Sequence, residues 1–123
     1  MSTPTLSDPY ANPAVYDILH TPGTAGEVDV LQGVADRFDA PGGARRHWLE
    51  PACGTGRYLR VLAGRGQRAT GIDLDGGMLD YARHSLVRRG LNRRVKLVYA
   101  DMTAFGDHVG ESTHDVAFVP VNS

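Results

Sequence analysis

The chain has 123 residues, 41% of them hydrophobic and 22% charged, with a formal net charge of −1. That is enough for one domain with a buried core, and the charge balance calls for neither a nucleic acid nor an anionic membrane. A single cysteine, Cys53, excludes an intrachain disulfide framework and a cysteine-based metal site. It fits a reducing cytoplasm. No apolar stretch approaches the roughly 20 residues of a membrane-spanning helix, and Met1 to Tyr10 carries no secretory pattern. The five histidines are dispersed, so no metal site is expected.

Residues 1 to 12, rich in Ser, Thr, Pro and Asn, read as a loose lead-in. Asn12 followed by Pro13 marks a helix start, a side-chain cap with proline in the first turn, and Ala14 to His20 continue it. Thr21-Pro22-Gly23 stops it. Thr24 and Glu27 have the spacing of a capping box for a second helix. Its apolar face is Val28, Leu31, Ala35 and Phe38, and Pro41-Gly42-Gly43 closes it. Residues 1–43 thus form an N-terminal helical segment, and residues 44–123 a separate unit with a different pattern.

From residue 46 onwards, strands and helices alternate. Trp48 and Leu49 close a short strand, and Gly54 and Gly56 open a helix running to about Ala63, ended by Gly64 and Gly66. Arg68 to Asp73 is a second strand. Met78, Leu79, Ala82 and Leu86 make the buried stripe of a long helix that stops at Gly90, with Leu91 supplying the hydrophobic contact of the cap. Val95 to Tyr99 is a third strand. Asp115 to Val121 is a fourth, apolar almost throughout, which suits a parallel strand covered on both faces. This alternation predicts an α/β domain with a parallel sheet.

A strand entering a glycine-rich loop and then a helix presents unpaired backbone N–H groups to a ligand. A dinucleotide fingerprint needs a third glycine where Leu59 stands, and a phosphate-binding P-loop needs a Gly-Lys-Ser/Thr run that is absent. Asp73 ends the second strand beside the turn, where a carboxylate accepts from the vicinal hydroxyls of a ribose. Asp101 ends the third strand, placed to accept from an adenine amino group, with Met102 against the ring. Each aspartate alone could instead cap the following helix; together, at α/β spacing, they favour a nucleoside ligand.

The runs Glu50-Pro51-Ala52-Cys53-Gly54-Thr55-Gly56-Arg57, Gly71-Ile72-Asp73-Leu74-Asp75 and Ala100-Asp101-Met102 resemble those of class I S-adenosylmethionine-dependent methyltransferases. The resemblance covers residues 46 to 123, and it implies a Rossmann-like parallel sheet with helices on both faces. That family has seven strands, and the sequence supplies about four of them, an incomplete domain or one that pairs with a partner chain through the fourth strand. It implies that S-adenosylmethionine is the cofactor, with S-adenosylhomocysteine as product and a small-molecule methyl acceptor. Glu50, Gly54, Thr55 and Gly56 would surround the methionine part and ribose, and Asp73 would hold the ribose. Leu74 and Met78 would pack near adenine, Asp101 and Met102 would recognise its edge, and Asn122 would stand at the site mouth. Ala52 replaces a glycine of the family pattern, which matters only if its φ is positive. Arg57 either pairs with the cofactor carboxylate or is a solvated helix-start arginine.

Cys53 reads as a small buried residue rather than a nucleophile. Tyr10, Tyr16 and His20 belong to a segment that folds over the cofactor as a lid in related enzymes. Arg83, Arg88, Arg89, Arg93 and Arg94 read as a solvated face near a helix C-terminus rather than a nucleic-acid surface, because no aromatics are interleaved. No residue stands out as a catalytic base. A non-catalytic module that binds the cofactor, or assembles with another chain, is the alternative reading.

Overall fold

The computed structural model describes residues 12–101 and 114–120. Tyr10, Met102, Val121 and Asn122 lie outside these described residues. Helix α1 spans Pro13–His20, and the Asn12 side chain accepts from the Ala14 and Val15 amides. Helix α2 spans Thr24–Arg37, and a short 3-10 turn at Gly43–Arg45 leads into strand β1, His47–Pro51. Then follow α3 (Arg57–Gly64), β2 (Arg68–Asp73), α4 (Gly76–Arg88), β3 (Val95–Tyr99) and the two-residue β4, Val116–Ala117.

All three strand pairings are parallel, in the order β3-β2-β1-β4, and β1 faces β2 residue for residue from His47↔Arg68 to Pro51↔Ile72. Side chains alternate across the sheet. One face carries the main core, in which Trp48 and Ala69 meet Val28 and Ala35 of α2, Leu59 and Leu62 of α3, and Leu79 of α4. The N-terminal helical segment therefore shares its core with the sheet. On the opposite face Leu49, Ile72 and Ala100 form a smaller cluster with Val98.

Both glycine helix ends form as the sequence predicts. After α4, Leu91 donates to the Leu86 carbonyl and left-handed Gly90 (φ 68°) to that of Val87. After α3, Gln67 donates to Leu62 and Gly66 (φ 82°) to Ala63. These are paired 6→1 and 5→2 closures. Here Gly64 is the last helical residue rather than the stop.

Three expectations are corrected. No capping box forms at α2: the cap is left-handed Gly23 (φ 85°) with no side-chain bond, and Thr24 and Glu27 already lie inside the helix. Phe38 is exposed, because α2 ends at Arg37 and turns it away from the core. The fourth strand is not covered on both faces along its length. Phe118 is buried against Trp48 and Tyr58, edge to face, whereas Ala117 and Val119 are exposed.

Gly71 fixes how closely α3 approaches β2. A Cβ there would stand 2.5 Å from Leu59 Cδ1 and 2.8 Å from Cys53 Sγ. Gly71→Ala should therefore cost about 1–3 kcal/mol of overpacking strain, read as a lower denaturation midpoint at unchanged m-value.

Candidate functional site

The site lies at the C-terminal ends of β1 and β2. Register puts Glu50 and Pro51 of β1 beside Gly71 and Ile72 of β2, so the loop leaving β1 passes the end of β2. There, Gly54 donates its amide hydrogen to Asp73 Oδ2 at 2.8 Å, and Asp73 Oδ1 accepts from the Asp75 amide at 2.8 Å. Each carboxylate oxygen spends one acceptor direction on backbone and keeps another for a ligand. Asp73 does not cap α4. Asp75 does, through the amides of Gly77 and Met78.

The turn itself needs the left-handed region three times, at Ala52 (φ 57°), Gly54 (φ 57°) and Gly56 (φ 81°). Ala52 thus sits where an L-residue is strained by about 1–2 kcal/mol, and its departure from the family pattern is a real cost. At Gly56 a Cβ would come within 3.2 Å of Ala82 Cβ, so close packing on α4 also excludes a side chain.

Glu50 is 2% exposed, and its Oε1 has no hydrogen-bond partner. Burial raises its carboxyl well above the ordinary glutamate range; the Arg57 charge opposes this and that of Asp73 adds to it. Glu50 and Arg57 line a cavity of about 110 Å³ together with Tyr16, Ala52, Thr55 and Tyr58. A buried acceptor left unmade costs free energy in the ligand-free chain. An acid and a guanidinium facing one small cavity complement the ammonium and carboxylate of an amino acid.

Arg57 is 6% exposed, which rules out the solvated alternative. Its guanidinium donates to Thr24 Oγ1 at 2.9 Å, Glu27 Oε1 at 3.3 Å and the Tyr58 hydroxyl at 2.9 Å, and it stacks 4.2 Å from the Tyr58 ring centroid. Tyr58 in turn donates to Glu27 Oε2. This bond, helped by the Arg57 bond and charge, lowers the Glu27 pKa against the opposing effect of burial, while burial and the same bond push Tyr58 up to about 12. Thr24 and Glu27, spaced like a cap, serve instead to anchor this arginine.

A second buried network ties α1 to the turn, and no local pattern announced it. Asp17 accepts from Arg60 at 2.6 Å, Thr55 at 2.9 Å, Thr21 at 3.1 Å and Tyr81 at 3.1 Å. Burial works against its ionisation, but the bond and charge of Arg60, with the Thr55 and Tyr81 hydroxyls, hold its pKa below the usual aspartate value. The Thr55 side chain, a candidate for the cofactor, thus points to Asp17. Tyr16 packs on the turn side of α1, with a ring carbon 3.8 Å from where a Gly54 Cβ would stand, and stacks on His20 at 4.2 Å.

Leu74 is 57% exposed beside Asp73, leaving an apolar flank at the site, whereas Met78 is buried on α4. Asp101 is exposed just past β3, and the preceding residue, Ala100, donates to the Asp73 carbonyl at 3.2 Å. Burial, reinforced by Glu50 and Asp73, raises the Cys53 thiol well above its ordinary value, which makes it a packing residue and not a nucleophile.

Because Glu50 is protonated more readily folded than unfolded, it favours folding below the unfolded glutamate pKa. That contribution is lost as pH rises from the ordinary glutamate value of 4.5 through the raised folded value. Glu50→Gln should therefore raise the ligand-free melting temperature at pH 8 and leave it nearly unchanged at pH 4, measured by thermal denaturation across that range.

Residues 49–121 match the protein family described as a methyltransferase domain. Among solved structures, a methyltransferase from Streptomyces caelestis, CcbJ, is 27% identical, with a TM-score of 0.65, covering 82% of this chain and 36% of that one. Coclaurine N-methyltransferase, solved with N-methylheliamine and S-adenosylhomocysteine, is 25% identical, with a TM-score of 0.56 and coverage of 76% and 26%. An RNA methyltransferase from Salinibacter ruber, solved with S-adenosyl-L-homocysteine, is 20% identical, with a TM-score of 0.61 and coverage of 79% and 58%. The chain spans about a third of the length of the first solved chains it matches. No curated protein sequence matches it.

Proposed function

The chain belongs to the methyltransferase-domain family, and on that premise we propose that it is the cofactor-binding part of an S-adenosylmethionine-dependent methyltransferase acting on a small molecule. The observation that carries this reading is the buried Glu50 carboxyl, its Oε1 without a hydrogen-bond partner, lining one small cavity with Arg57 at the glycine turn. The donor set fits the cofactor. Glu50 and Arg57 suit its zwitterionic amino-acid end, and the spare acceptor directions of Asp73 suit the ribose hydroxyls. Gly54 and Gly56, without Cβ atoms, let the turn lie close; Ala52 is part of the same turn. Leu74, with Met78 behind it, offers an apolar flank to adenine, while Asp101, Met102 and Asn122 complete the proposed cofactor set.

Bound S-adenosylmethionine would supply an activated methyl group. The protein's task is then to hold donor and acceptor in line at attack distance, which contributes more than any proton transfer it need provide. Asp73 would hold the ribose, and Tyr16, Tyr58 and Pro120 would wall the amino-acid end beside Glu50 and Arg57.

A small acceptor is supported by an apolar recess of about 260 Å³ bounded by Glu27, Val30, Leu31, Tyr58 and Pro120, which shares Tyr58 and Pro120 with the Glu50 cavity. It is supported also by the likeness to the enzyme solved with N-methylheliamine. RNA is the less favoured acceptor, since the RNA enzyme's lower identity speaks for the fold alone. No described helix is long and apolar enough to cross a membrane; the cytoplasmic location we propose rests on the free, buried Cys53, which suits a reducing compartment. One observation favours a second reading, a non-catalytic module that assembles with another chain. The outer edge of β4 has no strand partner among the described residues, and Val119 is exposed beside it.

Calorimetric titration with S-adenosylmethionine tests the shared claim. We expect micromolar binding, weakened about 10- to 100-fold in Asp73→Asn, which keeps one acceptor for Gly54 while losing the charge. A folded wild-type sample that evolves no binding heat far above micromolar cofactor would sink the reading. Transfer of labelled methyl to a metabolite panel then separates enzyme from binding module.

A further inference from the structure

Five arginines gather at the end of the sheet opposite the Glu50 cavity. Arg45 ends the 3-10 turn before β1, Arg65 caps α3, Arg68 begins β2, and Arg93 and Arg94 immediately precede β3. Parallel strands bring these four segments to one place, the N-terminal end of the sheet. There, the five arginines line one cavity of about 680 Å³ whose remaining wall is an alanine and a glycine. This regroups the sequence-based cluster. Arg83 pairs with Asp80 and Arg89 bonds to Ser85 on α4, while Arg93 and Arg94 join Arg45, Arg65 and Arg68.

Part of the cluster has a structural role. Arg94 donates to the Ala63 carbonyl at 3.0 Å in the last turn of α3, where a cation also favours the helix dipole. Arg65 pairs with Asp29 at 2.8 Å and donates to the Ala25 carbonyl at 3.2 Å. These contacts hold two guanidinium groups at the cavity wall. They do not account for Arg45, Arg68 and Arg93, which have no carboxylate in ion-pair reach among the described residues. In a chain of net charge −1, five like charges gather around one hollow, and only that of Arg65 has a carboxylate in ion-pair reach among the described residues.

We propose that this cavity binds an oligophosphate, either inorganic or the phosphate chain of a nucleotide. Guanidinium forks match adjacent phosphate oxygens bidentately, and several of them together select a run of phosphates over a single anion. The volume is that of a small-molecule site. Its lining holds no aromatic side chain on which bases could stack, which sets it apart from single-stranded nucleic-acid surfaces. The site lies across the sheet from the Glu50 cavity, so it is independent of the cofactor reading.

Calorimetry and melting temperature, at one fixed ionic strength, test it with tripolyphosphate, a nucleoside triphosphate, sulfate and a 12-nucleotide single-stranded RNA. Tripolyphosphate should bind at least tenfold more tightly than sulfate and raise the melting temperature. The nucleoside triphosphate matching or exceeding it identifies a nucleotide as the source, and falling short identifies inorganic oligophosphate. Arg68→Glu/Arg93→Glu should lose at least tenfold in affinity. Arg83→Glu/Arg88→Glu, which changes net charge equally on exposed α4 positions, should lose less than threefold. Far-ultraviolet dichroism confirms that both variants are folded. Sulfate binding as tightly as tripolyphosphate, equal losses in the two variants, or RNA binding more tightly than tripolyphosphate would each overturn the proposal.

Discussion

The carboxylate of Asp73 holds three parts of the site in one geometry. Through Oδ2 it takes the Gly54 amide from the loop after β1, and through Oδ1 the amide of Asp75, whose own side chain starts α4. Hydrogen bonds to a charged acceptor are among the stronger ones. This clamp works only because β1 and β2 run in register to their ends and because Gly71 lets Leu59 and Cys53 come down onto the sheet. Without it the glycine turn would lose the bond that ties Gly54 to the end of β2.

Two buried acids near that turn show opposite solutions to the same problem. Asp17 is saturated, with Arg60 supplying charge and three hydroxyls completing the shell. Removing one partner of such a pair typically costs 3–5 kcal/mol, because the other charge is left buried alone. It locks α1 against the turn. Glu50 is left unsatisfied at one oxygen, with an arginine nearby but engaged elsewhere. A folded chain tolerates such a group where a ligand completes it, so on the proposed function the stability lost at Glu50 would be the counterpart of affinity there. The strain at Ala52 belongs to the same trade.

Local signals in the sequence are legible where short-range chemistry decides. The proline and asparagine at the start of α1, the Gly90–Leu91 helix end and the strands at 68–73 and 95–99 all form as patterned. The glycine turn and Asp73 likewise meet where α/β spacing put them. The sequence is ambiguous where one local pattern serves two purposes. Thr24 and Glu27 are three apart for a cap, but that spacing also puts both on one helix face, and there Arg57 takes them. The Asp17–Arg60 pair spans 43 residues and leaves no periodic trace. The arginine cavity draws on four separate segments, so only the strand order assembles it. At the fourth strand an apolar run suggested burial on both sides, whereas burial there follows Phe118 alone.

On the proposed function, Glu50 is a buried acid that a ligand's cation completes. Its carboxyl can be followed by carbon-13 NMR as pH is varied, with and without saturating S-adenosylmethionine. The structure predicts a pKa well above the ordinary glutamate range in the free protein, falling when the ligand brings its ammonium to the cavity. An ordinary pKa in the free protein, or a raised one unmoved at saturation, would contradict it.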